Sequence, residues 1–393
     1  MFLQWCGEVQ AISFYLRSTF GFVGKDAASE AHQFRNTNVS AKRFKKMSHT
    51  KADLKKIGVN EWDSVADSFE EANLFLGNGF SIGLCPRLSY RSLFENFIKS
   101  LDTKLEKVFK SFGTTNFELI IQILNSAENV NKILDYPFDK IEPLRKNLRE
   151  GLIKTIQESH PKHSEIYYPQ LINLSKELES FSDIFTTNYD VFLYKTILQS
   201  ITEHRFLHQN TADPYQDFFY EEMSGTELAF VNEKFYPTSR SIYYLHGALF
   251  LYQTTNRTTN YKLRRLESVK LEYIQLVRRE IENDNFPIFV AEGDFRDKLR
   301  TINNNSYLNF CATQLQKSYR NIVFYGFSFG DSDRHIVDFL NKSKVEKIAV
   351  SIYKGNKPLE QLEKEVSYFR NQFTTKSVAV FDSEGLFPSL RPH

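Results

Sequence analysis

Four short segments carry residue types that can do chemistry: GNGFS at 77–81, TTNYD at 186–190, LHG at 245–247 and YGFSFGD at 325–331. In the first, Gly77 and Gly79 flank Asn78 directly after an apolar run, and Phe80 and Ser81 follow. A glycine turn between a strand and a helix exposes main-chain N–H groups on which an anion such as a diphosphate can rest. Such turns also join strands to helices where nothing binds, so the other segments must decide. In the second, Asn188 offers a neutral donor and acceptor able to orient hydroxyls or a water without opposing a developing cation, between Thr187 and Asp190. The competing reading for Asn188 is an Asx turn or helix cap ahead of VFLYKTIL, and for Asp190 a cap is preferred over a ligand role. In the third, His246 closes an apolar run before Gly247, and an imidazole of near-neutral pKa suits a general base. The fourth adds Gly326, Ser328, Gly330 and Asp331, with hydroxyls at Ser81 and Ser328 for a phosphate or sugar. Asp331, Asp333 and His335 invite a metal reading; capping of the helix around IVDFL accounts for them, and no metal is assigned.

The elements that must position these residues follow from periodicity. Strand-like runs at 72–76, 183–190, 241–247, 287–293, 321–330, 346–353 and 377–381 alternate with helical patterns. That alternation predicts an α/β fold, a doubly wound parallel (Rossmann-like) sheet whose ligands sit at the carboxyl ends of its strands. Residues 91–178 repeat apolar positions at three and four and read as a helical insertion. Residues 1–70 read as an N-terminal extension and linker: an apolar start broken by Glu8 and Arg17 and too short to span a bilayer, a polar basic stretch at 34–56, and the helix-like EWDSVADSFEEA. Met47 is a candidate natural start, and His204 and His208 are placed in a loop.

At 393 residues, 41% hydrophobic and 25% charged, the chain can bury a large core, and a net charge of +2 leaves no field to attract a nucleic-acid backbone. Arg264, Arg265, Arg278 and Arg279 read as solvated helix faces. Cys6, Cys85 and Cys311 are far apart, so neither a disulfide framework nor a four-thiolate zinc site is available, and a reducing cytoplasm fits.

The ordered set GNGFS, TTNYD, LHG and YGFSFGDSD resembles the sirtuin-like (SIR2-like) superfamily over about residues 71–355, within a domain taken as 71–393. Lacking the two cysteine pairs that hold the structural zinc of deacetylating sirtuins, it is more similar to the zinc-free, NAD-hydrolysing SIR2-like proteins of bacterial anti-phage defence. Residues 287–310 also look like a branch of those proteins and carry no assigned chemistry. The resemblance implies an NAD glycohydrolase that releases nicotinamide and ADP-ribose and depletes NAD in abortive infection, with NAD as substrate. It places Asn188 and His246 at the catalytic centre, and Gly77, Asn78, Gly79, Phe80, Ser81, Thr187, Asp190, Gly326, Ser328, Gly330 and Asp331 around the nucleotide. It further implies a homo-oligomer and a co-encoded regulator, such as a HerA-type ATPase or a nucleotide-processing protein. The alternatives in the same pocket are an NAD- or ADP-ribose-binding sensor and an ADP-ribosyltransferase.

Overall fold

The computed structural model describes residues 49–85, 103–112, 117–160, 168–208, 212–221, 228–253, 259–263, 273–283, 285, 287–290 and 295–390. The expectations for Met47, Cys6, most of the 1–70 extension and parts of the 91–178 segment lie outside them. In chain order the strands are β1 (Val59–Asn60), β2 (Asn73–Leu76), β3 (Ile184–Thr186), β4 (Tyr215–Gln216), β5 (Phe219–Glu221), β6 (Leu228–Phe230), β7 (Arg240–Tyr244), β8 (Gly247–Gln253), β9 (Asn260–Lys262), β10 (Pro287–Phe289), β11 (Ile322–Tyr325), β12 (Lys347–Ile352) and β13 (Ser377–Asp382).

Eight of them form one sheet in the order β1-β13-β12-β11-β2-β3-β7-β4, and every pairing in it is parallel. Its six central strands reproduce the doubly wound order 3-2-1-4-5-6, with β2 first in sequence and the order reversing between β2 and β11. Parallel strands are covered on both faces, which is why they read as continuous apolar runs rather than alternating ones: all four residues of β2 and of β11 are buried. The sheet is thus a Rossmann-like α/β core flanked by helices. Among the described residues, five helices, Asn78–Leu84, Thr103–Phe112, Phe117–Ile133, Ile141–Ser159 and Tyr168–Leu178, lie between β2 and β3 in sequence.

Several expectations change. Residues 287–289 do not join the parallel sheet; β10 pairs antiparallel with β8 in a second, five-stranded sheet of order β10-β8-β9-β6-β5. Apolar content alone does not say which sheet a short strand enters. EWDSVADSFEEA forms two 3-10 turns, Trp62–Ser64 and Ala66–Phe69, instead of a helix. Within the basic stretch, Lys51–Lys56 is a helix started by a Thr50–Asp53 capping box. His204 lies in the last turn of the helix Phe192–Leu207, not in a loop.

At the reversal of strand order two loops meet backbone to backbone. A Cβ built on Gly79 would lie 2.5 Å from Gly326 Cα, one on Gly326 2.6 Å from Gly79 Cα, and one on Gly77 2.5 Å from Gly326 O. The Gly79 N–H donates to Gly326 O at 2.9 Å, and Gly326 has φ +68°, a conformation that side chains disfavour. Gly326→Ala should therefore destabilise the fold by about 1–3 kcal/mol. Gly330→Ala, whose added methyl would meet only Ser328 Oγ at 4.0 Å, should be near neutral. Urea unfolding of the two variants checks the contrast; equal midpoints would refute the close-contact account.

Candidate functional site

The four segments singled out in the sequence converge because four neighbouring strands end in register. Tyr325 pairs with Leu76, Leu76 with Thr186, and Thr186 with Tyr244, across β11, β2, β3 and β7. Asn188 and His246 each lie two residues past that line on adjacent strands, whose backbones are spaced about 4.8 Å apart.

Asn188 is held from several sides. Its N–H donates to Thr186 Oγ1 at 3.0 Å, and its side-chain Nδ2 donates to Gly77 O and Ser81 Oγ, both at 2.9 Å. Thr186 Oγ1 donates in turn to Leu76 O. The Ser81 hydroxyl donates its own hydrogen bond to Asp190, and the other Asp190 oxygen accepts from Phe192 N–H at 2.8 Å. Asp190 thus lies one residue ahead of the Val191 cap position and takes the first helical N–H in an Asx-type turn, rather than serving as the cap itself, while also anchoring Ser81. Burial raises its pKa, opposed by the hydrogen bonds from Ser81 and Phe192. At the head of this chain Asn188 Oδ1 is buried without a hydrogen-bond partner. A lone buried amide oxygen costs about 1–3 kcal/mol, so Asn188 is an acceptor in want of a donor.

His246 sits where the chain leaves the parallel sheet for the antiparallel one. β7 ends at Tyr244, Gly247 takes φ +73°, and β8 begins there. The His246 carbonyl accepts from Val290 N–H at 2.8 Å, so the second sheet fixes its backbone. Its ring meets His335, on the helix Arg334–Lys342, with 2.9 Å between the two Nε2 atoms. The centroids are 5.1 Å apart and the planes 27° apart, so the rings meet edge to edge, as an N–H···N hydrogen bond requires. Asp333 occupies the cap position of that helix but makes no side-chain cap. Its carboxylate instead accepts from Lys298 Nζ at 2.8 Å, the lysine side chain being 5% exposed. Burial drives the His246 pKa well below its ordinary value, and the Lys298 charge adds to that. Burial likewise takes His335 down to about 4, partly offset by the Asp333 carboxylate.

Other expected residues have plainer roles. Gly77, Gly79 and Gly326 use their missing side chains on one another, and the Gly79 amide is spent on Gly326 rather than on an anion. The Phe80 ring is fully buried against Phe387. Asn78 is half-buried at the turn, Thr187 is buried, and Ser328 and Asp331 are exposed beside the half-buried Gly330. Sequence reasoning missed Thr186, Lys298 and the pairing of His335 with His246. The D-x-H spacing at 333–335, immediately after the GFSFG turn, was the available signal. His246, Asp333 and His335 bring three potential ligand atoms within 4.8 Å of one another, although Lys298 already neutralises the carboxylate. A cavity of about 360 Å³ lined by Glu179, His204, Asp213 and Arg240 opens at the opposite, amino ends of β3, β4 and β7. It lies remote from these groups.

The depressed histidines set an acid limit on stability. In the unfolded chain imidazoles take up protons near pH 6.5, whereas folded His335 stays neutral down to about pH 4. The unfolded state therefore binds more protons below pH 6.5, and stability falls as pH drops from 6.5 toward 4, by up to about 3 kcal/mol for this group. Urea midpoints measured across that window should fall less steeply for His335→Gln than for the wild type; parallel slopes would count against a buried neutral His335.

The DUF4917 model, a domain of unknown function, matches residues 74–386. No curated protein matches the chain. The matched span starts within β2, ends after β13 and takes in every site residue from Gly77 to His335. The chain therefore belongs to the DUF4917 family.

Proposed function

We propose that this protein is a SIR2-like NAD glycohydrolase, cleaving the nicotinamide–ribose bond with water to give nicotinamide and ADP-ribose. The observation that carries the reading is the in-register ending of β11, β2, β3 and β7, which sets Asn188 and His246 past the ends of the adjacent strands β3 and β7, next to the switch point between β2 and β11. Ligands of such sheets bind outside the carboxyl ends of the strands at that point.

The bond to be broken joins ribose to a leaving group that is already cationic and departs neutral, so no acid is needed to protonate it. What the site must supply is orientation and a base. Asn188 Oδ1, buried and unpartnered, accepts a hydrogen bond from a ribose hydroxyl or the attacking water, with Nδ2 locked on Gly77 O and Ser81 Oγ. A neutral amide does so without neutralising the oxocarbenium-like transition state. His246, kept unprotonated by burial, takes the proton. With the Gly79 amide spent on Gly326, contact with the diphosphate falls to Asn78 and to the exposed turn around Ser328 and Gly330. In this reading the protein depletes NAD in an infected cell and is held in check by self-association or a co-encoded regulator.

The test is nicotinamide release from NAD by the full chain co-expressed with its genomic neighbours. His246→Ala and Asn188→Ala should each lower release by about a hundredfold to ten-thousandfold while NAD affinity changes severalfold at most. Because both disable one step, the double variant should be little worse than either single one. Normal turnover in both folded single variants would overturn the assignment. Tight NAD binding without nicotinamide release in the activated wild type would make the chain a binding module instead.

A further inference from the structure

Hydrolysis of NAD releases a net proton: water gives its hydroxyl to the ribose C1′ and a proton to the base. In this fold the base is 4% exposed, so the proton needs a second acceptor. One is present. His335, 1% exposed, meets His246 edge to edge through its Nε2 at 2.9 Å, and the Asp333 carboxylate beside it is fixed by Lys298.

The pairing of the two rings also determines which nitrogen does the work. Two neutral imidazoles joined Nε2 to Nε2 hold one proton between those atoms, so one ring donates and the other accepts. The Ser332 backbone and the Asp333 carboxylate both favour the positively charged form of the His335 ring, the form it reaches by accepting a proton at Nε2. In the arrangement in which His335 Nε2 accepts from His246, the proton of the neutral His335 ring is on Nδ1, which is buried without a hydrogen-bond partner. His335 Nε2 is then the bare acceptor, His246 carries its proton on Nε2, and the lone pair left for substrate is at His246 Nδ1.

We propose that His246 and His335 act as one proton relay: His246 Nδ1 takes the proton from water or a ribose hydroxyl as its Nε2 proton passes to His335 Nε2, leaving the positive charge on His335 beside Asp333. This inference rests on the NAD-hydrolysis reading for its substrate, while the pairing itself stands on the geometry. A divalent cation held by His246, Asp333 and His335 is the competing use of the cluster. It fits less well on two counts. Two imidazole nitrogens at a tetrahedral zinc are about 3.3 Å apart, given a metal–nitrogen distance near 2.05 Å, and here they are 2.9 Å apart. Lys298 Nζ also already sits 2.8 Å from the carboxylate the ion would need.

The experiment uses full-length protein with ¹⁵N-labelled histidine. Nitrogen shifts should show His246 protonated at Nε2 and bare at Nδ1 in the wild type. His335→Gln, whose side-chain oxygen still accepts from His246 Nε2–H but takes up no proton, should keep that tautomer and NAD affinity within about threefold. Its nicotinamide release should nevertheless fall by about a hundredfold. Protonated Nδ1 in wild-type His246, or wild-type turnover in His335→Gln, would overturn the relay. So would stoichiometric zinc binding that is lost in His335→Ala. The tautomer is read without turnover, so a wild type that releases no nicotinamide but shows bare His246 Nδ1 counts against the reaction and not against the pair.

Discussion

Between β2 and β11, where the strand order reverses, the loop carrying Gly77 and Gly79 lies on Gly326 with no space for a Cβ on any of the three. The rest of the site hangs from this contact. The Gly79-to-Gly326 hydrogen bond fixes the first turn of the helix Asn78–Leu84, and that turn carries Ser81. Gly77 O and Ser81 Oγ in turn receive both Asn188 Nδ2 hydrogen bonds. On the other side, Gly326 N–H donates to Ser351 Oγ, tying the same loop to β12. Beyond it Phe327 and Phe329 pack into the core, Phe327 on Phe75 at 4.9 Å and Phe329 on Phe324 at 4.8 Å. Phe329 is held at φ +55°, a strained conformation for a phenylalanine that persists only where packing over-determines it.

Around this contact the protein buries polar groups and treats them in two ways. Lys298 with Asp333, and Ser81 with Asp190, are matched donor to acceptor, which offsets much of their desolvation. His246 and His335 are kept neutral by burial and joined by one shared hydrogen bond. Asn188 Oδ1 and His335 Nδ1 are buried there without a hydrogen-bond partner. The Nδ2 hydrogen bonds to Gly77 O and Ser81 Oγ keep the Asn188 amide from turning, so its buried oxygen is left as an acceptor for a donor from outside the network.

The second sheet positions His246. β8 starts directly after His246 and turns the chain into an antiparallel layer, where Val290 N–H on the β10 side holds the His246 carbonyl. The helix Phe295–Asn304, which supplies Lys298, follows in the same stretch of chain and packs on the 3-10 turn Asp331–Asp333. The histidine pair thus draws on three separated segments, the junction of the two sheets, the 295–304 helix and the helix after β11.

Much of the parallel core was legible from local pattern: β2, β3, β11, β12 and β13 fall where apolar runs end in glycine or polar residues, because strands covered on both faces have few other ways to be written. The types of Asn188 and His246, and their place past strand ends, were legible for the same reason. Sequence could not assign β10 to its own antiparallel sheet, since three apolar residues carry no record of their partner strand. It gave Asp333 a helix cap, whereas the carboxylate found Lys298, 35 residues earlier in the chain. Nor could it join His246 to His335 across 89 residues. The sequence by itself determined which residue types stand at the strand ends and that the strands are buried. Only the tertiary structure decided which side chains meet there, because register between non-adjacent strands and the approach of distant helices arise from packing, and local periodicity encodes neither.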